Sequence, residues 1–261
     1  MSIIEKINSQ SITQVDFEIR LPEVGHDLDQ DEEWCEIVTR KRIRFHDYRA
    51  IYGIPGLYEE LFYDRLKCVS PRMIRTQLAQ VLTERGTEPA KLRVLDVGAG
   101  NGIVGEELRA LGAGAVLGVD IIEEAATAAQ RDRPGVYDRY LVADLTDLAP
   151  DERATLVEAD LNTLTTVAAL GFDDVPPHAF ATAYNIISTP GLAAFTIKED
   201  FVTSRDASGF SELIRRMFAE GVICPLARQR YRHRLSVQGE PLYYVAFVAE
   251  KIGDIPQDWL D

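Results

Sequence analysis

This sequence predicts an α/β fold, a mostly parallel seven-stranded sheet with helices on both faces, and three observations carry that prediction. From Leu92 onward, short apolar segments of strand length alternate with amphipathic segments of helix length. A glycine-rich turn, Gly98-Ala99-Gly100-Asn101-Gly102, follows the first such strand and opens a helix. The chain finishes on two long strand-like segments joined by Gln238-Gly239-Glu240-Pro241, a connection too short to join anything but antiparallel strands.

Parallel strands are expected at Arg93–Val97, Ala115–Asp120, Arg139–Ala143, Leu161–Ala168 and Leu192–Lys198, and the closing hairpin at Arg228–Val237 and Leu242–Glu250. Helices are expected at Gly102–Ala110, Ile122–Arg131, Pro177–Ile187 and Phe210–Glu220. Ahead of the sheet, Arg44 to Arg85 reads as a helical extension. Leu57, Leu61, Phe62 and Leu66 recur at helical spacing, as do Met73, Ile74, Leu78, Val81 and Leu82 after Ser70-Pro71, which reads as an N-cap with proline at N1. The expected organisation is an acidic arm or lid over 1–43, a helical cap over 44–90 and a core over 91–261. In the arm, Glu23, Asp27, Asp29, Asp31, Glu32, Glu33 and Glu36 have no Lys or Arg among them, and Arg40, Lys41, Arg42 and Arg44 then reverse the sign. A solvated arm is the expectation, with a closing lid as the alternative.

With 261 residues, 46% of them hydrophobic, the chain can bury one sizeable core. No apolar run approaches the ~18–20 residues that cross a bilayer, and Met1 to Gln10 lacks the pattern of a signal peptide, so no membrane and a cytoplasmic location are expected. A net charge of -14 repels a phosphate backbone. The expected partner is therefore a small molecule and not nucleic acid. Cys35, Cys68 and Cys224 fall in no metal-binding spacing and read as reduced thiols, with no metal site. Oligomeric state is left open.

The turn after the first strand must bring backbone close to a ligand. Gly98, Gly100 and Gly102 permit the dihedrals and carry no Cβ, and the helix from Gly102 offers free N–H groups. Gly100-Asn101-Gly102-Ile103-Val104-Gly105 also matches the dinucleotide pattern GxGxxG. Asp96, an acid ending the first strand, favours a ligand with an ammonium group. Asp120, ending the second, suits a ribose diol. Asp144, at the end of the third, can accept from an adenine amino group, with the Leu145 N–H on a ring nitrogen and Ile121 and Leu145 on either side of the ring.

From Leu92 to Ile252 the chain resembles the class I S-adenosylmethionine-dependent methyltransferases, whose Rossmann-like core carries DxGxGxG, here Asp96, Gly98, Gly100 and Gly102. Asp120 and Asp144 match that family's acids after the second and third strands. Val167-Ala168-Ala169-Leu170, Asp174-Val175-Pro176-Pro177, Pro190-Gly191-Leu192 and Pro134-Gly135-Val136-Tyr137 resemble more narrowly the Williams–Beuren-region methyltransferase-like group. The resemblance implies methyl transfer from S-adenosylmethionine to a small molecule. Its cofactor-binding set is Asp96, Gly98, Gly100, Asn101, Gly102, Asp120, Ile121, Asp144, Leu145, Ala168 and Tyr52.

Methyl transfer asks mainly for alignment, with a general base where the acceptor carries a proton. His178, after the fourth strand, and Tyr48, four residues before Tyr52 in the cap, are the catalytic candidates. A capping or exposed histidine and core packing are the competing accounts. Lys198 ends the fifth strand, where a solvated charge competes with a role facing substrate. Arg228, Arg230, Arg232 and Arg234 alternate so that a strand puts all four on one face, to hold an anion or to pair with acids of the same chain. Neither Asn/Asp-Pro-Pro-Tyr nor Pro-Cys follows the fourth strand, so neither exocyclic-amine nor cytosine C5 methylation of nucleic acid is expected. A nicotinamide-dependent oxidoreductase and a catalytically silent cofactor-binding domain are the alternative readings.

Overall fold

Strands with apolar residues on both sides need cover on both faces, and the elements are laid out to supply it. The computed structural model describes residues 18–22, 28–37, 42–171, 174–202 and 209–260. In chain order they form β1 (Trp34–Glu36), β2 (Arg42–Arg44), α1 (Tyr48–Tyr52), α2 (Leu57–Glu59) running into a π-helical turn at Glu60–Arg65, and α3 (Ser70–Glu84). The alternating region follows as β3 (Arg93–Val97), α4 (Ile103–Leu111), β4 (Ala115–Asp120), α5 (Glu123–Asp132), β5 (Arg139–Val142), α6 (Pro150–Glu158), β6 (Thr163–Leu170), α7 (Pro177–Ile186) and β7 (Gly191–Lys198). Last come α8 (Phe210–Ala219), β8 (Ile223–Leu235) and β9 (Pro241–Lys251). The seven-stranded sheet has the order β5-β4-β3-β6-β7-β9-β8. β3 to β7 pair in parallel and β9 is antiparallel to both its neighbours.

The five parallel strands and the antiparallel ending lie where the sequence places them, within a few residues. Helix α6 was not expected, because Pro150–Glu158 buries only Leu156 and shows no apolar period. The ribbon β1–β2 is too short for a period-two signal.

Each inner strand divides its side chains between two cores. From β3, Leu95 and Val97 face α6, α7 and α8, whereas Val94 faces α3 and α4. From β9, Val245, Phe247 and Ala249 take the first side, and Ala246 and Val248 the second. Phe195 stacks on Phe247 at 5.1 Å and meets Phe180 edge-on at 5.5 Å; burial of each such ring contributes about 1.5–3 kcal/mol. At the end of β9 the buried Lys251 ammonium donates to the Tyr184 and Ile187 carbonyls, a cation on the C-terminus of α7, where the helix dipole favours one.

Of the arm, Glu23, Asp27, Arg40 and Lys41 lie outside the described residues. The rest corrects the solvated expectation. The reversal of charge along the sequence becomes cross-strand pairing, Glu36 opposite Arg42 and Trp34 opposite Arg44, with the Arg42 guanidinium over the Trp34 ring at 4.2 Å. Glu33 is fully buried: its Oε2 accepts from Arg234 at 2.5 Å and its Oε1 from the Val237 N–H at 2.7 Å. Ile19, Ile43, Phe45, Leu61 and Leu66 form a third small core around this pair. Ser70 is not the cap the sequence suggests. Its hydroxyl is buried and turned to the sheet, 2.5 Å from the Tyr231 hydroxyl and 2.7 Å from His233 Nδ1, because α3 packs its first turn onto β8.

Asp96 also departs from expectation. It lies under the glycine turn with its oxygens taken, Oδ1 by the Thr165 hydroxyl and Oδ2 by the Tyr137 hydroxyl, both at 2.7 Å. Tyr137 also donates to the Ala99 carbonyl at 3.3 Å. Asp96 thus fastens β3, β6 and the approach to β5 beneath the turn, itself only 1% exposed.

Two stability predictions follow from these buried charges. Glu33→Ala leaves the Arg234 guanidinium buried without its partner and should cost about 3–5 kcal/mol in urea unfolding, whereas Glu32→Ala, at an exposed neighbour, should be nearly silent. Burial pushes the Asp96 carboxyl up to about 7, against the pull of the Tyr137 and Thr165 hydroxyls. The folded state then holds a proton that the unfolded chain has released, so this contribution weakens as pH rises from about 4 to 7, by on the order of 4 kcal/mol. Thermal unfolding of Asp96→Asn should therefore gain on the parent between pH 5 and pH 8; parallel pH profiles would refute this.

Candidate functional site

Strand order reverses at β3, with β4 on one side and β6 on the other. The connections leave the two strand ends towards opposite faces and open a crevice there. The glycine turn forms one lip. Gly98 and Gly100 have φ of +69° and +52°, which side chains resist. A Cβ on Gly98 would stand 2.8 Å from that of Ala169, and one on Gly100 would strike the Tyr52 hydroxyl. The missing atoms therefore make room first for the protein's own side chains. The other lip is a bulge in β6. Thr166 pairs with Phe195 and Leu170 with Ile197, so three residues stand opposite Thr196 alone. Ala168, at the centre, has φ +56° and donates its N–H to Thr196 Oγ1 at 2.8 Å. The regular strand expected to run to Ala168 is interrupted here and turns residues 167–169 towards the crevice.

An outer cleft of about 1120 Å³, open solvent included, is lined by Asp120, Ile121, Asp144, Leu145, Ala168 and Tyr48 among others. Asp120 ends β4 and accepts from the Gly100 N–H at 2.9 Å and the Ile122 N–H at 3.0 Å. Burial raises its carboxyl's affinity for a proton, and these bonds oppose the rise. Asp144 stands two residues past β5, and the Thr146 hydroxyl and N–H, at 2.7 and 2.8 Å, hold its carboxyl below the ordinary range. Ile121 is 54% exposed, an apolar face offered to the cleft.

Behind it lies an inner chamber of about 740 Å³, open solvent again included. Tyr48, Tyr52 and Tyr58 border both spaces, as do Gly98, Ala168 and Asp174. The tyrosine rings continue one another, Tyr48 to Tyr52 at 6.0 Å, Tyr52 to Tyr58 at 5.0 Å and Tyr58 to Tyr63 at 6.0 Å. His46 Nδ1 lies 3.3 Å from Asp174 Oδ2 and joins the cap to the end of β6. Among the buried side-chain oxygens without a hydrogen-bond partner are Asn101 Oδ1 and Gln30 Oε1, and both residues line this chamber.

Gly98, Asp120, Ile121, Asp144, Leu145, Ala168, Tyr48 and Tyr52 thus meet in the outer cleft, and Gly100 and Asn101 in the chamber behind it. Gly102, the N-cap of α4, packs against Val136 and Arg133, and Asp96 lies below. Neither lines the crevice. His178 does not reach it either. Ala179 faces the cleft, and the preceding residue, about 100° around the helix, points into a separate groove beside Thr146 and Gln257. Tyr48 is well placed, but burial raises its phenol far above the ordinary range, which keeps it protonated. Lys198 pairs with Asp200 at 3.1 Å.

The arginine ladder holds only in part. Arg230 pairs with Glu199 at 2.6 Å and stacks on Tyr243, and Arg228 reaches over Phe247. Between Arg232 and Arg234 the register slips, so His233 is an extra residue and Arg234 turns inward to Glu33. Sequence reasoning passed over Asp174, His46 and Gln30. Asp174 carried a usable signal, an acid just after the fourth strand.

Residues 94–186 match a family model described as a methyltransferase domain. No curated protein matches the chain in sequence. Among solved structures, the N-methyltransferase NodS from Bradyrhizobium japonicum, in complex with S-adenosyl-l-homocysteine, is similar with a TM-score of 0.53 at 13% identity over 79% of this chain and 97% of that one. Magnesium protoporphyrin IX methyltransferase from Synechocystis, with bound S-adenosylmethionine, is similar with a TM-score of 0.51 at 15% identity over 79% and 90%. The chain therefore has the Rossmann-like fold of these methyltransferases.

Proposed function

We propose that the chain is an S-adenosylmethionine-dependent methyltransferase acting on a small-molecule acceptor. One observation carries this reading: Gly98 of the glycine turn and the Asp120 carboxylate meet in the cleft at the strand-order reversal, with the unpartnered Asn101 oxygen in the chamber that adjoins it. The residues present fit the cofactor. Asp120 Oδ1 and Oδ2 each spend one lone pair on backbone N–H groups, leaving capacity for two ribose hydroxyls. Asn101 Oδ1 is a buried acceptor that lacks a donor, which an ammonium group supplies; in this reading it takes the role expected of Asp96. Ile121 and Leu145 offer apolar faces to an adenine, and Asp144 an acceptor for its amino group. The cofactor supplies an electrophilic methyl on a sulfonium, a cation suited to a cleft bordered by Asp120, Asp144 and Asp174.

A small acceptor is supported by the enclosure of the inner chamber and by the net charge of -14, which disfavours nucleic acid. In this reading 91–261 is the catalytic core, 44–90 the cap that walls the chamber, and 1–43 an acidic arm or lid. Kinship with the Williams–Beuren-region methyltransferase-like group is supported by the Pro134–Tyr137 run, whose tyrosine holds Asp96.

Titration calorimetry tests the cofactor assignment. S-adenosylhomocysteine should bind and NAD should not. Asp120→Ala should lose most of the binding, about a hundredfold for two charge-assisted hydrogen bonds. His178→Ala, outside the cleft, should leave it unchanged. Binding of NAD without S-adenosylhomocysteine would favour the oxidoreductase and sink the proposal.

A further inference from the structure

Thr196 is fully buried in a place that has little use for a hydroxyl. Its neighbours along β7, Phe195 and Ile197, face the first core, so Thr196 faces the second, on the side of Ala194, Val167 and Ala246. A buried hydroxyl costs free energy unless it is hydrogen-bonded, and a valine of nearly the same shape is cheaper to bury there. The Thr196 hydroxyl is bonded on both sides. Its Oγ1 accepts the Ala168 N–H at 2.8 Å. Burial raises the Tyr231 phenol, and hydrogen bonding with Ser70 and Thr196 opposes that rise. Tyr231 lies 2.5 Å from Ser70 Oγ, and Ser70 lies 2.7 Å from Nδ1 of His233, which burial keeps neutral. One direction of donation, from the Ala168 N–H through Thr196, Tyr231 and Ser70 to the His233 nitrogen, satisfies every member.

Ala168, where this chain of bonds begins, is the strained member. Its φ of +56° lies in the left-handed region, which an alanine resists and a glycine does not. Gly98, Gly100 and Gly102, across the crevice, use glycine at each positive φ; here an alanine is held in place by a bond from the next strand. Val167, Ala168 and Ala169 line the outer cleft, with Ala169 set against Gly98, so the conformation of Ala168 decides where this lip stands. We propose that Thr196 is a positioning residue for the donor cleft: its hydroxyl fixes Ala168 at positive φ and so sets the lip formed by residues 167–169, a reading that rests on the methyltransferase assignment for the ligand that reports it. The chain through Tyr231 and Ser70 anchors that hydroxyl from the first turn of α3, so the cap and the lip are held by one network.

Titration calorimetry of the full chain with S-adenosylhomocysteine, beside amide exchange followed by NMR, tests this. Thr196→Val should weaken binding about tenfold, the consequence of leaving an alanine unsupported at positive φ. Thr196→Ser keeps the hydroxyl and should bind within about threefold of the parent. On an Ala168→Gly background, where the residue reaches positive φ unaided, the same Thr196→Val change should cost less than about threefold. A general loosening of the second core weakens both backgrounds alike, so an undiminished loss on the glycine background would overturn the assignment. So would parent-like binding by Thr196→Val. In the parent the Ala168 amide should be protected from exchange about a hundredfold, and about tenfold less in Thr196→Val with the β7 amides unchanged. An unprotected Ala168 amide in the parent refutes the proposal whether or not any variant folds. If the parent gives no heat with S-adenosylhomocysteine, the cofactor reading fails and the exchange alone decides whether Thr196 holds the lip. If the parent binds and Thr196→Val alters neither binding nor exchange, the cofactor reading stands and the positioning role falls.

Discussion

The reversal of strand order between β3 and β6 is the constraint on which the rest of the site depends. At that line the connecting chains leave for opposite faces, and neither can cover the gap between them. Both lips are consequently made of backbone under constraint, the positive-φ glycines after β3 and the bulge around Ala168 in β6. They are fitted to each other before they are fitted to a ligand, since Gly98 is backed by Ala169 and Gly100 by Tyr52. Pre-organisation of this kind lets a ligand dock without first ordering the loops that hold it.

What turns an open crevice into two chambers is the cap, and the cap is held by a buried ion pair. The bulge at His233 shifts the alternation of β8 by one residue, and Arg234 moves from the exposed ladder to the interior. There Glu33 meets it, and the third hydrophobic core assembles around the pair. A buried pair of this kind need not add net stability. Its service is to specify one seating of the arm against the sheet, which brings Gln30 to the chamber and leads through Phe45 into His46, Tyr48 and Tyr52.

The fold was legible where elements are long and periodic. Strands β3, β4, β6, β7 and β9 announce themselves by apolar runs, and the Gln238–Pro241 connection gives away the antiparallel end. The strand-end acids Asp120 and Asp144, which border the outer cleft, were legible for the same reason, since a carboxylate at the end of a parallel strand has few other places to point. The N-terminal part was not. A ribbon of two three-residue strands has no measurable period, and a run of acids looks solvated whether or not one of them is buried. The ladder failed for a subtler reason. Period two predicts a common face only while the register is unbroken, and one bulge residue reverses the side of everything beyond it. The position of His178 shows the same sensitivity on a helix, where a single residue separates the cleft from the groove behind it.

The acids set the electrostatic character of the crevice. Burial drives the Asp96 and Asp120 carboxyls towards their neutral forms, and each is pushed further by a carboxylate beside it, Asp120 for the first and Asp174 for the second. Such crowding of like charge costs stability at neutral pH, although Asp96 and Asp120 each gather hydrogen-bond donors around the turn. A cation entering the crevice reverses the sign of that interaction, because each carboxylate then gains a counter-charge in a region of low dielectric. In the proposed reading the donor's sulfonium meets that deficit from the outer cleft, which Asp120 and Asp174 border.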